Sequence, residues 1–366
     1  MSQNVILITG AAGFLGSAIT VALSREHAVI AVDAREPSEA LRRAAPGVVW
    51  QRLDIADSGS VSALFRSTRG DHGRLDFLIH LAAFYHFGSD WLPEYERTNV
   101  RGTANLLQAA RDASARRVIF ASSIAAMEPP RPGQLLTERT PTSAFIPYAR
   151  SKQLGEEMIA KEADALPGIV LRVAGAFSDW CELPPLYSLI KRWSGRGPSS
   201  RLVPGRGNSG LPYIHRDDVV CSVRRCIECH ATLAPFEVLL ASPSGAVSHN
   251  EVFAAVRLAG RAAAARPPPA PILIPPRLAR LGLSLRAPLG RLTRKPFYEQ
   301  PWMLDFVDRP WATDASYTES RLAWSCTPGM GILDRLPQIL ERFRADPRAW
   351  ELRNRRRNEG CYDYSP

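Results

Sequence analysis

Through the first half of the chain, short uninterrupted apolar runs alternate with amphipathic stretches. Val5 to Thr9, Ala28 to Val32, Val48 to Leu53, Phe77 to Leu81, Val118 to Ala121 and Ile169 to Val173 are rich in β-branched residues. Near-continuous apolar runs of that length are the signature of strands buried on both faces. Between them, apolar residues recur at helical spacing, as in Phe14, Leu15, Ile19, Val21 and Leu23, and again over Tyr95 to Ala113 and Tyr148 to Ala165. Alternation of this kind predicts an α/β fold, a doubly wound parallel sheet whose ligands bind beyond the carboxyl ends of the strands.

After Val173 the alternation stops. The segment 178–210 is rich in Pro, Gly, Arg and Trp; a strand-like piece, Pro212 to His215, then leads into Asp217, Asp218 and a helix, and Phe236 to Leu240 reads as one more buried strand. From Ser248 the pattern is helical, broken by Pro267, Pro268, Pro269, Pro271, Pro275 and Pro276, which predict an extended linker. Asp334 to Arg344 reads as an amphipathic helix, and the tail beyond Arg353 is expected to fray. The pattern divides into a first domain over 1–175 to which 211–245 returns, a smaller, mostly helical substrate-binding region over 176–210 and 246–345, and a basic tail over 346–366.

The turn after the first strand carries the sharpest chemistry. Gly10, Gly13 and Gly16 suit a tight turn, a close approach of backbone to a pyrophosphate, and close packing of the following helix. That helix would offer its free N–H groups and positive dipole end to the phosphates. The second strand ends in Asp33, about 20 residues on, where a carboxylate suits two ribose hydroxyls and repels a 2′-phosphate. The first domain is therefore expected to be of Rossmann type and to bind NAD rather than NADP. Far downstream, Ser123 and the pair Tyr148 and Lys152, one helical turn apart, add a hydroxyl, a phenol and an ammonium. Alone, each could be a turn or surface residue; in this order behind the glycine turn they describe a nicotinamide redox site.

Composition adds limits. A chain of 366 residues with 45% hydrophobic and 22% charged residues can bury a large core. No apolar run reaches the length of a membrane span and none resembles an export signal, so a cytoplasmic enzyme is expected. The six cysteines lack a framework spacing, as in reduced proteins. Cys226, Cys229 and His230 have the spacing of a haem attachment, but they fall inside a helical pattern and are expected to be incidental, with no metal bound. The formal charge of +10 is local: between Val252 and Tyr298 there are nine basic residues and no acidic one. That argues against a general nucleic-acid surface and leaves open an anionic ligand or a peripheral membrane contact through 252–298.

Several further pieces, in order, resemble the extended short-chain dehydrogenase/reductases, the NAD-dependent epimerases and dehydratases that include the 3β-hydroxysteroid dehydrogenases. They are TGAAGFLG at Thr9 to Gly16, LDI at Leu53 to Ile55, HLAA at His80 to Ala83, TNVRGTANLL at Thr98 to Leu107, FASS at Phe120 to Ser123, YARSK at Tyr148 to Lys152, LRVAG at Leu171 to Gly175 and YIHRDDVV at Tyr213 to Val220. The resemblance implies that Gly10, Gly13, Phe14, Leu15 and Gly16 form the pyrophosphate loop and that Asp33 contacts ribose. It places Asp54 and Ile55 at adenine, and lets Leu81, Ala82 and Ala83 line the cofactor, with Asn99 supporting the site. It makes Tyr148 the acid/base, Lys152 its ribose-binding partner and Ser123 the substrate hydrogen-bonder, and His80 reads as a packed structural histidine. A small-molecule substrate and a homodimer are expected, with no nucleic acid.

Departures from the family narrow the reaction. Members that dehydrate sugars carry Asp-Glu after the hydroxyl residue, where this chain has Ile124 and Ala125. Alcohol/ketone redox and 4-epimerisation remain. Members that grip nucleotide sugars commonly have an Arg where this chain has Gly210, Leu211 and Pro212. Aromatic residues at Phe84, Tyr85, His86 and Phe87, with Trp91, Trp180, Tyr187 and Trp193, suit an apolar or ring-shaped substrate or else ordinary core; Phe84, Tyr85, His86 and Trp180 are the expected substrate contacts. The leading expectation is an NAD-dependent hydroxyl dehydrogenase or ketoreductase with a sterol-like or lipid-like substrate; a nucleotide-sugar 4-epimerase is the alternative, and a non-catalytic NAD-binding scaffold a distant third.

Overall fold

The computed structural model describes residues 3–259, 270–292, 299, 301–358, 362 and 364. The apolar runs become strands with the expected alternation. In chain order the first half consists of β1 (Val5–Thr9), α1 (Phe14–Leu23), β2 (Ala28–Asp33), α2 (Glu39–Ala44), β3 (Val49–Arg52), α3 (Ser58–His72), β4 (Phe77–His80), α4 (Thr103–Asp112), β5 (Arg117–Ser123), α5 (Pro147–Glu162) and β6 (Gly168–Val173). The second half consists of β7 (Gly175–Phe177), α6 (Pro184–Trp193), β8 (Leu202–Pro204), β9 (Gly210–Leu211), β10 (Tyr213–His215), α7 (Arg216–Glu228), β11 (Phe236–Ala241), β12 (Val247–Ser248), α8 (His249–Ala259), β13 (Ile272–Ile274), α9 (Pro276–Leu292), α10 (Ser316–Leu322), α11 (Ile332–Ala345) and α12 (Pro347–Asn358).

Seven strands form one parallel sheet in the order β11-β6-β5-β4-β1-β2-β3. The strand order reverses between β1 and β4, which opens a crevice at their carboxyl ends. One apolar layer lies on each side of the sheet: Ile6, Ile8, Ile19, Ile79 and Ile119 belong to one, Leu7, Ile30, Leu78, Val118 and Phe120 to the other. Alternate residues of the same strands thus supply opposite layers, as the two-residue strand repeat requires. A separate core around Trp193, Phe253, Leu336 and Trp350 joins α6, α8, α11 and α12 into the region beside the crevice.

The stretch Tyr95 to Ala113, read as one helix, opens with wider π-type turns over Tyr95–Gly102 before continuing as α4. Such turns are uncommon and cluster at functional sites. Gly102 sits at the junction because a Cβ there would lie 2.7 Å from the Ile55 side chain. Of the proline-rich linker, 267–269 lies outside the described residues, and Ile272–Ile274 is extended and pairs with β8. The expectation of a frayed tail beyond Arg353 is overturned as far as Asn358; 359–361, 363 and 365–366 lie outside the described residues. Helix α12 runs to Asn358; the Asn354 side chain is buried, accepting from the Glu182 N–H and donating to the carbonyls of Trp180 and Trp350. No helix of the described residues is long and apolar enough to cross a membrane.

Candidate functional site

A cavity of about 1140 Å³ opens above the crevice. Its floor is the glycine turn. Gly10 has φ +69°, and a Cβ on it would meet the Ala82 backbone nitrogen at 2.7 Å. A Cβ on Gly16 would lie 2.0 Å from the Gly10 carbonyl oxygen, so the helix can pack against the turn only through glycine. Gly13 is different: a Cβ there meets only the Gly10 oxygen, at 3.1 Å, and otherwise points into open space. Helix α1 starts there with no side-chain cap and no acidic residue in its first turn. An uncapped helix start beneath open space fits an anion such as a pyrophosphate.

Asp33 ends β2 in the cavity wall. Its carboxylate accepts the Ala12 N–H and the Arg35 N–H, each at 3.0 Å, so it is held against the glycine turn. Asp54 and Ile55 follow β3 on the same wall, Asp54 accepting the Ala56 N–H at 3.0 Å and paired with Arg97. Leu81, Ala82 and Ala83 continue from β4 along the cavity.

His80, at the end of β4, is packed as the sequence suggests. Thr103 spends its hydroxyl proton on the Asn99 carbonyl at 2.6 Å, so it accepts from His80 Nε2 at 2.9 Å, and His80 Nδ1 in turn accepts the Thr9 hydroxyl at 2.8 Å. Burial, helped by the charge of Lys152, pushes the imidazole pKa down to about 3. A neutral ring therefore ties β1, β4 and α4 together. Asn99 does not line the cavity; its amide accepts the Phe84 N–H at 2.6 Å and donates to the Phe84 carbonyl and to Ser151, both at 2.9 Å. It holds the loop after β4 to helix α5.

Ser123, Tyr148 and Lys152 all border the cavity. Ser123 ends β5, and its Oγ accepts the Ala125 N–H at 3.1 Å, which leaves the hydroxyl proton for a partner in the cavity. Tyr148 stands in the first turn of α5 after Pro147, its ring packed against Tyr85 and Phe87 at 5.1 and 5.2 Å between centroids. Lys152, one turn on, is buried and donates to the Ala121 carbonyl at 2.7 Å. Burial pushes its pKa down to about 8, with Glu156 pulling the other way.

Glu156 and Arg172 escaped sequence reasoning. Glu156 lies one further turn along α5, where it accepts the Ser122 hydroxyl at 2.5 Å and pairs with buried Arg172 at 2.7 Å. The i, i+4, i+8 spacing of Tyr148, Lys152 and Glu156 was visible; the partner on β6 was not. Phe84, Tyr85 and His86 line the cavity, whereas Trp180 lies outside it, with the guanidinium groups of Arg342 and Arg353 4.9 and 5.1 Å from its ring. Tyr362, from the tail expected to fray, borders the cavity instead, packed edge-on against Phe14 with ring centroids 5.6 Å apart. Cys226 is a core residue of α7, and burial raises its thiol pKa well above the usual value.

The far wall comes from the second half of the chain: Leu189 of α6, Leu211 of β9, Leu283 of α9, and Trp302, Phe306 and Trp311. Among the described residues its charged members are Arg192 and Glu299, which pair with each other, and the exposed Arg309.

Among solved structures, an epimerase from Methanothermobacter thermautotrophicus superimposes with a TM-score of 0.70 at 16% identity over 99% of this chain and 96% of that one. UDP-glucose 4-epimerase from Thermotoga maritima, solved with UDP-glucose, gives 0.68 at 19% identity over 93% and 99%. Both share the fold. Among curated proteins, UDP-glucose 4-epimerase of Streptomyces lividans is 35% identical over 43% of this chain and 47% of its own length. Short-chain dehydrogenase/reductase family 42E member 1 of Danio rerio is 26% identical over 60% and 57%. The chain spans about half the length of the curated relatives it matches. Residues 6–238, from the first strand to the last strand of the sheet, match the profile of one family, and the chain belongs to that NAD dependent epimerase/dehydratase family.

Proposed function

We propose that the chain is an NAD-dependent oxidoreductase acting on a secondary alcohol or ketone carried by a molecule with a large apolar body. The observation behind this reading is the far wall of the cavity, where aliphatic and aromatic side chains face the space beyond Tyr148 and the Arg192 guanidinium is already paired with Glu299. The volume exceeds that of a pocket for one drug-sized ligand and leaves room for a dinucleotide with a second molecule beside it.

The glycine turn, with Phe14 and Leu15, would hold the NAD pyrophosphate, Asp33 the adenosine ribose, Asp54 and Ile55 the adenine, and Leu81, Ala82 and Ala83 the middle of the cofactor. Bound NAD supplies the hydride acceptor. Ser123 donates its hydroxyl to the substrate oxygen and fixes the carbinol, while Tyr148 takes the hydroxyl proton on oxidation and returns it on reduction. A free phenol titrates near 10, too high for a base near neutrality unless a cation lies close. Lys152, anchored by the Ala121 carbonyl, supplies that charge while it is protonated. The apolar rings of Tyr85 and Phe87 keep water from the phenol.

A second reading, a nucleotide-sugar 4-epimerase, is favoured by the curated relatives and by Arg309 at the cavity wall, where it could meet a phosphate. One experiment separates the two. Purified protein with NAD is offered panels of sterols, long-chain hydroxy compounds and nucleotide sugars, following NADH absorbance and sugar interconversion. The apolar reading expects NADH from a hydrophobic alcohol, loss of that signal by a factor of about 10² to 10⁴ in Tyr148→Phe, and no displacement of substrate by UDP. Micromolar UDP binding with interconversion of a nucleotide sugar would overturn it.

A further inference from the structure

Among the described residues, nothing packs on one apolar face of helix α9. Leu278, Leu281 and Leu285 recur on one side of the helix and are 59%, 57% and 72% exposed. On the strand just before the helix, Ile272 and Leu273 of β13 are 40% and 49% exposed, one on each face. Single exposed leucines are ordinary, but three on one face of a helix form a patch. The patch adjoins the cavity, since Leu278 and its helix neighbours Ala279, Gly282 and Leu283 line it. The apolar interior thus reaches the surface at this face.

Charge indicates the occupant. Arg277 and Arg280 flank the leucines on exposed positions of the helix, Arg280 paired with the exposed Asp305; the helix itself has no acidic residue, and the chain from Val252 to Tyr298 holds nine basic residues and no acidic one. A second copy meeting this face about a twofold axis would set basic against basic. An anionic bilayer offers both what leucines need and what arginines need: hydrocarbon beneath a negative surface.

We propose that α9 and β13 form a docking surface for an anionic lipid membrane, placing the cavity mouth against the bilayer so that an apolar substrate enters from lipid. This proposal rests on the apolar-substrate reading above. Helix α9 would lie in the interface, Leu281 and Leu285 among acyl chains and Arg277 at the headgroups, with Leu278 at the boundary between bilayer and cavity.

Vesicle flotation of the full chain tests it. Vesicles containing phosphatidylglycerol should bind at least tenfold more protein than pure phosphatidylcholine, since each basic residue near an anionic surface contributes roughly fivefold. Raising the salt should weaken the binding. Leu281 and Leu285 lie outside the cavity lining, so Leu281→Asp with Leu285→Asp should cut vesicle binding about tenfold or more while NAD affinity and circular dichroism stay unchanged. No binding, equal binding to both vesicles, or a dimer in solution that the double variant dissociates would each overturn the proposal. If the chain fails to float but still oxidises a hydrophobic alcohol in detergent micelles, only the docking is lost; if it floats but oxidises none, the docking stands and the substrate reading falls.

Discussion

Lys152 concentrates the electrostatics of the site in one residue. Its ammonium is buried beneath Tyr148, donates to Ala121 and lies 4.9 Å from the Phe120 ring centre. Desolvation disfavours the charge and brings the pKa down to about 8 from 10.5, while Glu156, already engaged by Arg172 and Ser122, only partly restores it. The sign for stability follows directly. Between about pH 8 and 10.5 the unfolded lysine holds a proton that the folded one has released, so unfolding takes up protons and stability rises with pH. Over the full window this group contributes roughly 3 kcal/mol. In the protein without NAD, raising the pH from 7.5 to 9.5 should therefore increase the unfolding free energy of the wild type relative to Lys152→Met, as read by urea denaturation. Parallel curves for the two proteins would mean that the folded lysine titrates normally. Activity runs the opposite way, because the protonated ammonium is what assists Tyr148, and turnover should decline as the lysine loses its charge.

At the scale of elements, the glycine turn shows why some of this fold was legible in sequence. A strand, a tight turn and a helix each follow from local chemistry, and so do the acidic end of β2 and the Tyr148 to Lys152 face of α5. Contacts that join distant segments left no local signal. Arg172 reaches Glu156 from another element, and Trp180, read as a ring for substrate, is covered by arginines of α11 and α12. The π-type opening before α4 also escaped, since the Asn99 contact with Phe84 that accompanies it spans 15 residues. The turn itself yields a prediction that separates packing from binding. Gly16→Ala drives a methyl into the Gly10 carbonyl and should lower stability by about 1–3 kcal/mol. Gly13→Ala brings its methyl to 3.1 Å from the Gly10 oxygen alone, a much milder contact, and should cost clearly less stability than Gly16→Ala while weakening NAD at least about tenfold, since a methyl there occupies room that the pyrophosphate needs. Denaturation midpoints and NAD titrations of the two variants distinguish the roles; equal stability losses would mean that Gly13 is there for packing.

For the whole molecule, the cavity is a product of both chain halves, and the last helix is part of what joins them. Trp350 of α12 is fully buried, stacked on Tyr187 of α6 at 4.9 Å and against Phe343 of α11 at 4.8 Å. Arg353, three residues on, meets buried Glu182 and the Tyr362 hydroxyl, and Tyr362 in turn receives Arg216 and packs on Phe14 at the start of α1. A continuous set of contacts therefore runs from the substrate side of the cavity to the helix proposed to hold the pyrophosphate. Trp350→Ala should remove about 3–5 kcal/mol of stability, the cost of emptying a large buried aromatic site. Because NAD is expected to bind only the folded chain, NAD at a hundred times its dissociation constant should return about 2.7 kcal/mol to the variant. Chemical denaturation with and without NAD measures both quantities. A Trp350→Ala protein as stable as wild type would show that α12 rests on the surface without supporting the fold, and a variant destabilised as expected but unprotected by NAD would show that its cofactor turn depends on α12 for its shape.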